Sequence, residues 1–529
     1  MRSVTRLHWL ALVAIGVLTA GLAAFLVRVP GYMDAEYYYA TAGELAQGHG
    51  FVEPFLWNYL DDPSGIPHPS HLYWMPLSSI IAAAGLSTFG AGFRAAQLPF
   101  VLLTAGLPLL TAWIALRLGS TARQAFIAGL LAAFSGLYLP FLVTTDSFAA
   151  YAWLGALTFV AGATAWSGGR WILWGTAGAL VGAAHLARAD GLLLIVPLLL
   201  LAGLAPRRRF VALALLLAGY AVVVGPWCAR NLSLTGSLFA PDGARTLWLT
   251  SYDELFTYPS TLLGFDSWAA QGVGAILASR ARASLTNLQS LVIVTGAVVL
   301  GPFMLVGAWR RRREPLIASS MAYLGLLFCV MSLVFPFSGA RGGFFHSSTA
   351  VLPILWALAP IGLDNALVRI SAWRGWNPER AGRLFTPLLV VFAVGISAWA
   401  GWDRVAAGAP DAPRWEQSAN DHAAITRALL ALDPSPGVVA INNPPGFFIA
   451  SMLPCVVIPY GDEVTLQQVA DRYGVEWVVL DANHPLPLAP LYRSPTSSPG
   501  LSLKGELSDV KGRPIFLLRV VTSTGGPPP

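Results

Sequence analysis

Seven side chains carry most of the chemistry this sequence offers, and they lie far apart along the chain. Asp34 and Glu36 stand in Gly31-Tyr-Met-Asp34-Ala-Glu36-Tyr-Tyr-Tyr39, a few residues after a long apolar run ends. Asp146 closes Thr144-Thr145-Asp146 between two further apolar runs, Arg188 sits in His185-Leu-Ala-Arg188-Ala-Asp190-Gly191, and Arg230 in Pro226-Trp227-Cys-Ala-Arg230-Asn231. Arg341 and His346 share Phe337-Ser-Gly-Ala-Arg341-Gly-Gly-Phe-Phe-His346. A carboxylate close to hydrocarbon is costly to keep there and usually has a task, such as taking a proton from an acceptor hydroxyl. Guanidinium forks match phosphate oxygens bidentately, and the glycines beside Arg341 let a backbone approach a ligand. Each residue also has a plainer role. Asp34 can cap the helix that Ala35–Ala46 predicts, Asp146 can cap the helix after it, Arg188 can pair with Asp190, and Arg230 can snorkel to an interface.

Two histidines, His68 and His71, lie three apart in a loop rich in aromatic residues. Pro69 opposes a helix that would place both on one face, so solvated or aromatic-packed histidines are expected over a metal pair. The three cysteines, Cys228, Cys329 and Cys455, are widely spaced and fit neither a disulfide framework nor a zinc site.

The elements that must position these groups are apolar. Of 529 residues 55% are hydrophobic and 11% charged, against roughly 25% charged in a soluble domain, which excludes a water-soluble enzyme and points to a polytopic α-helical membrane protein. Backbone groups in hydrocarbon must be satisfied within their own segment, so long apolar runs read as helices. Eleven runs qualify, at about 8–28, 95–116, 124–143, 148–166, 171–187, 191–205, 210–227, 287–308, 316–334, 349–367 and 385–402. The first has the basic start of a signal peptide but a long core and a poor cleavage site, and is expected to stay as an anchor. With the N-terminus in the cytoplasm, 16 of the 24 arginines before residue 403 fall inside and 12 of the 15 acids outside. The positive-inside rule therefore predicts that orientation. It places the long loops 29–94 and 228–286, and all seven residues named above, on the outer side. The basic residues form short clusters between apolar runs, which is no nucleic-acid footprint.

Composition changes at about residue 403, where 9 basic and 12 acidic residues give the C-terminal part a net −3 against +9 before it. Helix-like stretches at 416–432 and 463–473 alternate with strand-like runs at Val438–Ile441, Val456–Pro459, Glu476–Leu480 and Ile515–Val520. That alternation predicts a small soluble α/β domain over 403–522, extracytoplasmic by the same orientation, followed by a flexible tail at 523–529. There is no glycine-rich phosphate loop.

In order and spacing the pieces resemble the GT-C glycosyltransferases, in the bacterial branch that holds protein O-mannosyltransferases and aminoarabinose transferases. The matching pieces run over about 350 residues: Asp34-Ala-Glu36, Trp74-Met-Pro-Leu77 leading to Phe89-Gly90, Asp146, Ala187-Arg188-Ala-Asp190-Gly191, and Pro226-Trp227 with Arg230-Asn231 and Gly236. Aminoarabinose transferases carry a basic residue before the proline–leucine pair, where this chain has Trp74-Met75. The resemblance implies a GT-C-like transmembrane domain over 1–402. It also implies inverting transfer from a polyprenyl-phosphate-linked sugar to an acceptor protein, lipid or glycan. Asp34 would be the general base with Glu36 beside it and Asp146 as the second-loop acid. Arg230 and Arg188 would contact phosphate, and Arg341 and His346 join them on topology alone. Relatives differ in their use of a divalent cation, and the sequence leaves metal use open.

Two other classes fit eleven spans: a transporter or lipid flippase, and a non-catalytic scaffold whose outer domain binds partners. Transporters tend to place charged or broken helices at mid-membrane, whereas the polar residues here gather at one set of helix ends.

Overall fold

The computed structural model describes residues 5–521 apart from 169, 207, 241, 242, 244, 410 and 411. The tail expected at 523–529, Arg2 and Arg207 lie outside the described residues. The chain divides into two compact units.

The first unit comprises residues 1–28, 74–239 and 277–406. Among the described residues seven helices are long and apolar enough to cross a membrane, and nine if each of two bent pairs counts as one span. The chain is an integral membrane protein. The eleven apolar runs all fall on helices: seven on the long ones, two on the bent pairs Ala122–Ala133 with Gly136–Leu142 and Gly272–Thr295 with Leu300–Arg311, and two on the shorter helices Ile172–Ala187 and Ala189–Gly203. The run 287–308 is not one straight helix. It bends by 93° where Ala297 and Val298 take φ of 41° and 57°, a region that L side chains rarely adopt.

Burial separates central from peripheral helices. In the segment Pro336–Arg374, 78% of the apolar window is buried, and every residue from Leu352 to Leu363 is buried, as in a helix apolar all round at the centre of a bundle. In Arg6–Leu26 and Arg209–Thr235 only 22% is, and Leu7, Leu18, Leu22, Phe210 and Val222 are left bare, as lipid-facing helices require. Ile172–Ala187 packs closely on Arg209–Thr235 through small residues. A Cβ on Gly178 would strike the carbonyl of Leu216, and one on Gly219 that of Gly175, the close approach that small residues give in lipid.

The second unit gathers residues 29–73, 240–276 and 407–529, so grouping by contact does not follow the linear boundary at 402. The reason is a six-stranded sheet whose first strand comes from the first long loop. The order is Phe55–Leu56, Cys455–Val457, Val438–Ile441, Val475–Leu480, Pro514–Val520 and Leu501–Ser508. The first four strands are parallel, and Pro514–Val520 pairs antiparallel with both of its neighbours. Val478, Val479 and Leu480 are wholly buried, the continuous apolar run of a covered parallel strand. At the far edge Leu501–Ser508 alternates half-buried and exposed residues and carries Lys504 and Glu506, charges that discourage edge pairing. The helices Gln417–Leu432, Glu463–Tyr473 and the strands at 438, 475 and 514 lie within a residue or two of expectation. Leu501–Ser508, Phe55–Leu56 and the helix Pro444–Ser451 were not expected.

Candidate functional site

In the first unit two short polar runs are buried between apolar helices. Thr144, Thr145, Asp146 and Ser147 are at most 1% exposed, and Ser347, Ser348 and Thr349 follow the shielded His346. The first run precedes the helix Phe148–Gly168, and Asp146 accepts a hydrogen bond from the Ser147 amide at its head. That amide belongs to the next residue and precedes the first turn of the helix, so it is not the bond to a first-turn amide that a cap makes. Its other oxygen, Oδ2, lies 3.7 Å from His346 Nδ1, and the His346 ring rests on Phe148 with centroids 4.1 Å apart.

Arg188 ties the two runs together. Its Nε donates to Asp190 Oδ1 at 3.1 Å and to Ser347 Oγ at 3.0 Å, while Nη1 reaches Ser147 Oγ at 3.4 Å. Ser347 in turn donates to Asp190 Oδ2. The local Arg188–Asp190 pair is therefore present, and it also holds two remote segments. Gly191 permits this turn: a Cβ there would meet the backbone of Ala184, so no other residue lets the chain fold back so closely on Ile172–Ala187. Two tyrosines extend the network, Tyr323 donating to the Ser347 carbonyl at 3.1 Å and facing the Tyr151 hydroxyl at 3.0 Å. Tyr138 meets Ser348 Oγ at 2.8 Å. The serines and tyrosines were not singled out in the sequence, although Thr144–Ser147 and His346–Thr349 are conspicuous as four polar residues in a row between apolar stretches.

Asp146, His346 and Arg188 are thus brought into one network. Arg230 is half-buried one turn beyond Pro226 in Arg209–Thr235, its guanidinium 4.4 Å from the centre of the Trp227 ring. That stacking sets the guanidinium beside an aromatic plane. Arg341 is exposed, in a turn where Gly342 takes φ 138°.

Asp34 and Glu36 belong to the second unit, on the helix Met33–Ala46. The cap of that helix is Tyr32, and Asp34 stands one position inside the first turn, where helix amides and dipole favour a negative charge. It is partly exposed. Glu36 is 3% exposed and accepts a hydrogen bond of 2.7 Å from Asn443 Nδ2. Burial raises its pKa to about 7, the Asn443 bond offsetting part of the effect. The two acids therefore have different environments, one at a partly open helix start and one shielded against a carboxamide.

His68 and His71 meet different partners. His68 Nε2 is 2.7 Å from Asp61 Oδ2, whereas His71 takes φ 63°, lies against Tyr37 and Phe51, and meets Ser70 Oγ at 2.7 Å. Aromatic packing is the outcome for His71.

No protein-family model matches the chain, and no curated protein matches it. Solved structures do, and two of them are of one protein. The crystal structure of ArnT from Cupriavidus metallidurans bound to undecaprenyl phosphate superposes with a TM-score of 0.61 at 15% identity, covering 99% of this chain and all of that one. The same protein in the apo state gives 0.57 at 16% identity, over 97% and 99%. The helical membrane fold with a small C-terminal sheet, expected from the sequence, is the fold these structures share. From end to end, this chain has the architecture of ArnT.

Proposed function

We propose that this protein is a membrane glycosyltransferase that moves a sugar from a polyprenyl-phosphate donor to an acceptor hydroxyl on the extracytoplasmic face, with inversion. The observation that carries the reading is the shared architecture over nearly the whole chain with a protein crystallised on undecaprenyl phosphate. A hexosyl donor is our reading of the class; Trp74-Met75 stands where aminoarabinose transferases carry a basic residue, a departure from that branch's pattern.

In this reading the acceptor oxygen attacks the anomeric carbon while the Asp34 carboxylate takes its proton. The bond from that carbon to the phosphate oxygen breaks, and the lipid phosphate leaves with the electron pair. No covalent enzyme intermediate is needed. The developing phosphate charge is assigned to Arg230, whose guanidinium is held by the Trp227 ring. Arg188 is already committed to Asp190 and two serines, so its part is to fix Asp146 and His346 in place. Arg341, exposed beside glycines, is assigned to the entering phosphate. Glu36 is assigned a positioning role for the Asp34 helix.

The test is transfer of radiolabel from a synthetic polyprenyl-phosphate hexose to membrane-extract acceptors by purified protein in proteoliposomes. Wild type transfers label, and Asp34→Asn loses on the order of a hundredfold or more of the rate with an unchanged thermal midpoint. Movement of intact donor across the vesicle without cleavage supports the flippase instead, and near-normal transfer by Asp34→Asn removes it as the base.

A further inference from the structure

The second unit holds a cavity of about 450 Å³ that none of the assigned chemistry uses. Its volume lies within the roughly 300–1,000 Å³ of small-molecule sites. It opens where the sheet reverses its winding. From Val438–Ile441 the chain goes to Cys455–Val457 on one side and then to Val475–Leu480 on the other. In open parallel sheets ligands bind in the crevice beyond the carboxyl ends of the strands at such a reversal. Asn442 and Asn443 follow the end of the first of these strands, and Asp481 and Asn483 the end of the third; all four line the cavity.

The lining chemistry narrows the ligand. Three carboxylates (Asp421, Asp481, Asp509) and three cations (Arg414, Lys511, Arg513) face it, so its formal charge balances, and Arg513 is already paired with Asp509 at 2.7 Å. A balanced lining suits neither a phosphate nor a metal ion. Asp421 and Asp481 each commit one oxygen to a backbone amide, of Val510 and Asn483, both at 2.8 Å. His422 is 6% exposed, and its Nδ1 has no hydrogen-bond partner among the described residues. Carboxylates, carboxamides and a buried imidazole offer donors and acceptors in close alternation, while Ile425, Ile515 and Met33 supply an apolar wall. Vicinal hydroxyls on a ring with one apolar face match that pattern.

We propose that this cavity is a saccharide-binding site, taking a neutral sugar residue through Asp421, His422, Asn442 and Asp481. It is independent of the transferase reading, since it needs neither donor nor transfer.

The test is calorimetric titration of the full-length protein in nanodiscs with glucose, mannose, galactose, N-acetylglucosamine and their β-linked disaccharides, with inorganic phosphate as the contrasting probe. At least one saccharide binds and phosphate does not. Asp481→Ala weakens binding tenfold or more. Ser418→Trp, which fills the cavity from a partly exposed position on Gln417–Leu432 without removing a buried group, does the same with an unchanged thermal midpoint. If Asp481→Ala unfolds, Ser418→Trp decides alone. Asp34→Asn keeps full saccharide affinity, so loss of transfer and loss of this site are read separately. No binding by any sugar at tens of millimolar, binding of phosphate instead, or wild-type affinity in Ser418→Trp overturns the proposal.

Discussion

Each unit buries acidic groups, and the two solve the cost differently. In the first, Asp190 is met by a guanidinium and a serine hydroxyl, and Asp146 by a backbone amide with His346 nearby, so charge is balanced by charge and by fixed dipoles. In the second, Glu36 meets a neutral carboxamide, and the carboxyl instead moves toward its protonated form, with a pKa of about 7. A carboxylate with a cation beside it pins the segments that carry the cation. One without a cation becomes sensitive to pH.

The sharpest way to break the comparison is Arg188→Ala. It leaves Asp190 shielded and uncompensated and frees two serines, and removing one partner of such a pair costs about 3–5 kcal/mol. A large fall in the thermal midpoint in detergent is expected, with most of it recovered by the double replacement Arg188→Met with Asp190→Leu. A small effect in the single variant would mean that hydroxyls alone hold the two polar runs.

Glu36 is expected to behave oppositely. With a folded pKa of about 7 against an ordinary 4.5, the folded state holds the proton that the unfolded chain has released between those values. Stability therefore falls as pH rises from about 4.5 to 7, by roughly 3 kcal/mol. Midpoints of wild type and Glu36→Gln, measured from pH 5 to 8, should converge at the acid end and separate above pH 7, where the glutamine variant is the more stable. Parallel curves would place a compensating charge beside Glu36.

The smallest effect concerns packing around that carboxyl. A Cβ on Gly446 would lie 2.6 Å from His422 Cε1 and 2.8 Å from both Asn443 Nδ2 and Glu36 Oε2. Gly446→Ala is expected to cost about 1–3 kcal/mol as those groups are pushed apart. In the Glu36→Gln background the pH dependence should vanish while the packing loss remains. Retention of full stability would show that the helix Pro444–Ser451 yields without disturbing the Glu36 bond.

Helices were legible wherever periodicity did not have to be resolved. Runs such as 148–166 and 316–334 are apolar all round, and only a helix satisfies their backbone in lipid. The sequence also marked Asp146, Arg188 and Asp190 as charges stranded between apolar runs, and the Arg188–Asp190 pair was foreseeable because a single residue separates them. The bend at Ala297–Val298 was not, since four small or β-branched apolar residues read as continuous helix. The strand Leu501–Ser508 escaped because its polar alternation resembles a loop, and Phe55–Leu56 because two residues make no pattern. Ser147 and Ser347 escaped because a hydroxyl's value depends on its partner, here Arg188, 41 and 159 positions away.

Composition by itself determined the solvent this chain lives in, the helical character of its apolar runs and the alternation of its last 120 or so residues, because hydrophobic burial and backbone satisfaction act locally on every segment. Only the tertiary structure decided that a strand from the first loop would complete the C-terminal sheet, that Glu36 would lose its water while Asp34 kept some, and that one guanidinium would join two polar runs. Those outcomes rest on contacts between residues tens to hundreds of positions apart, and no local pattern encodes a partner that far away.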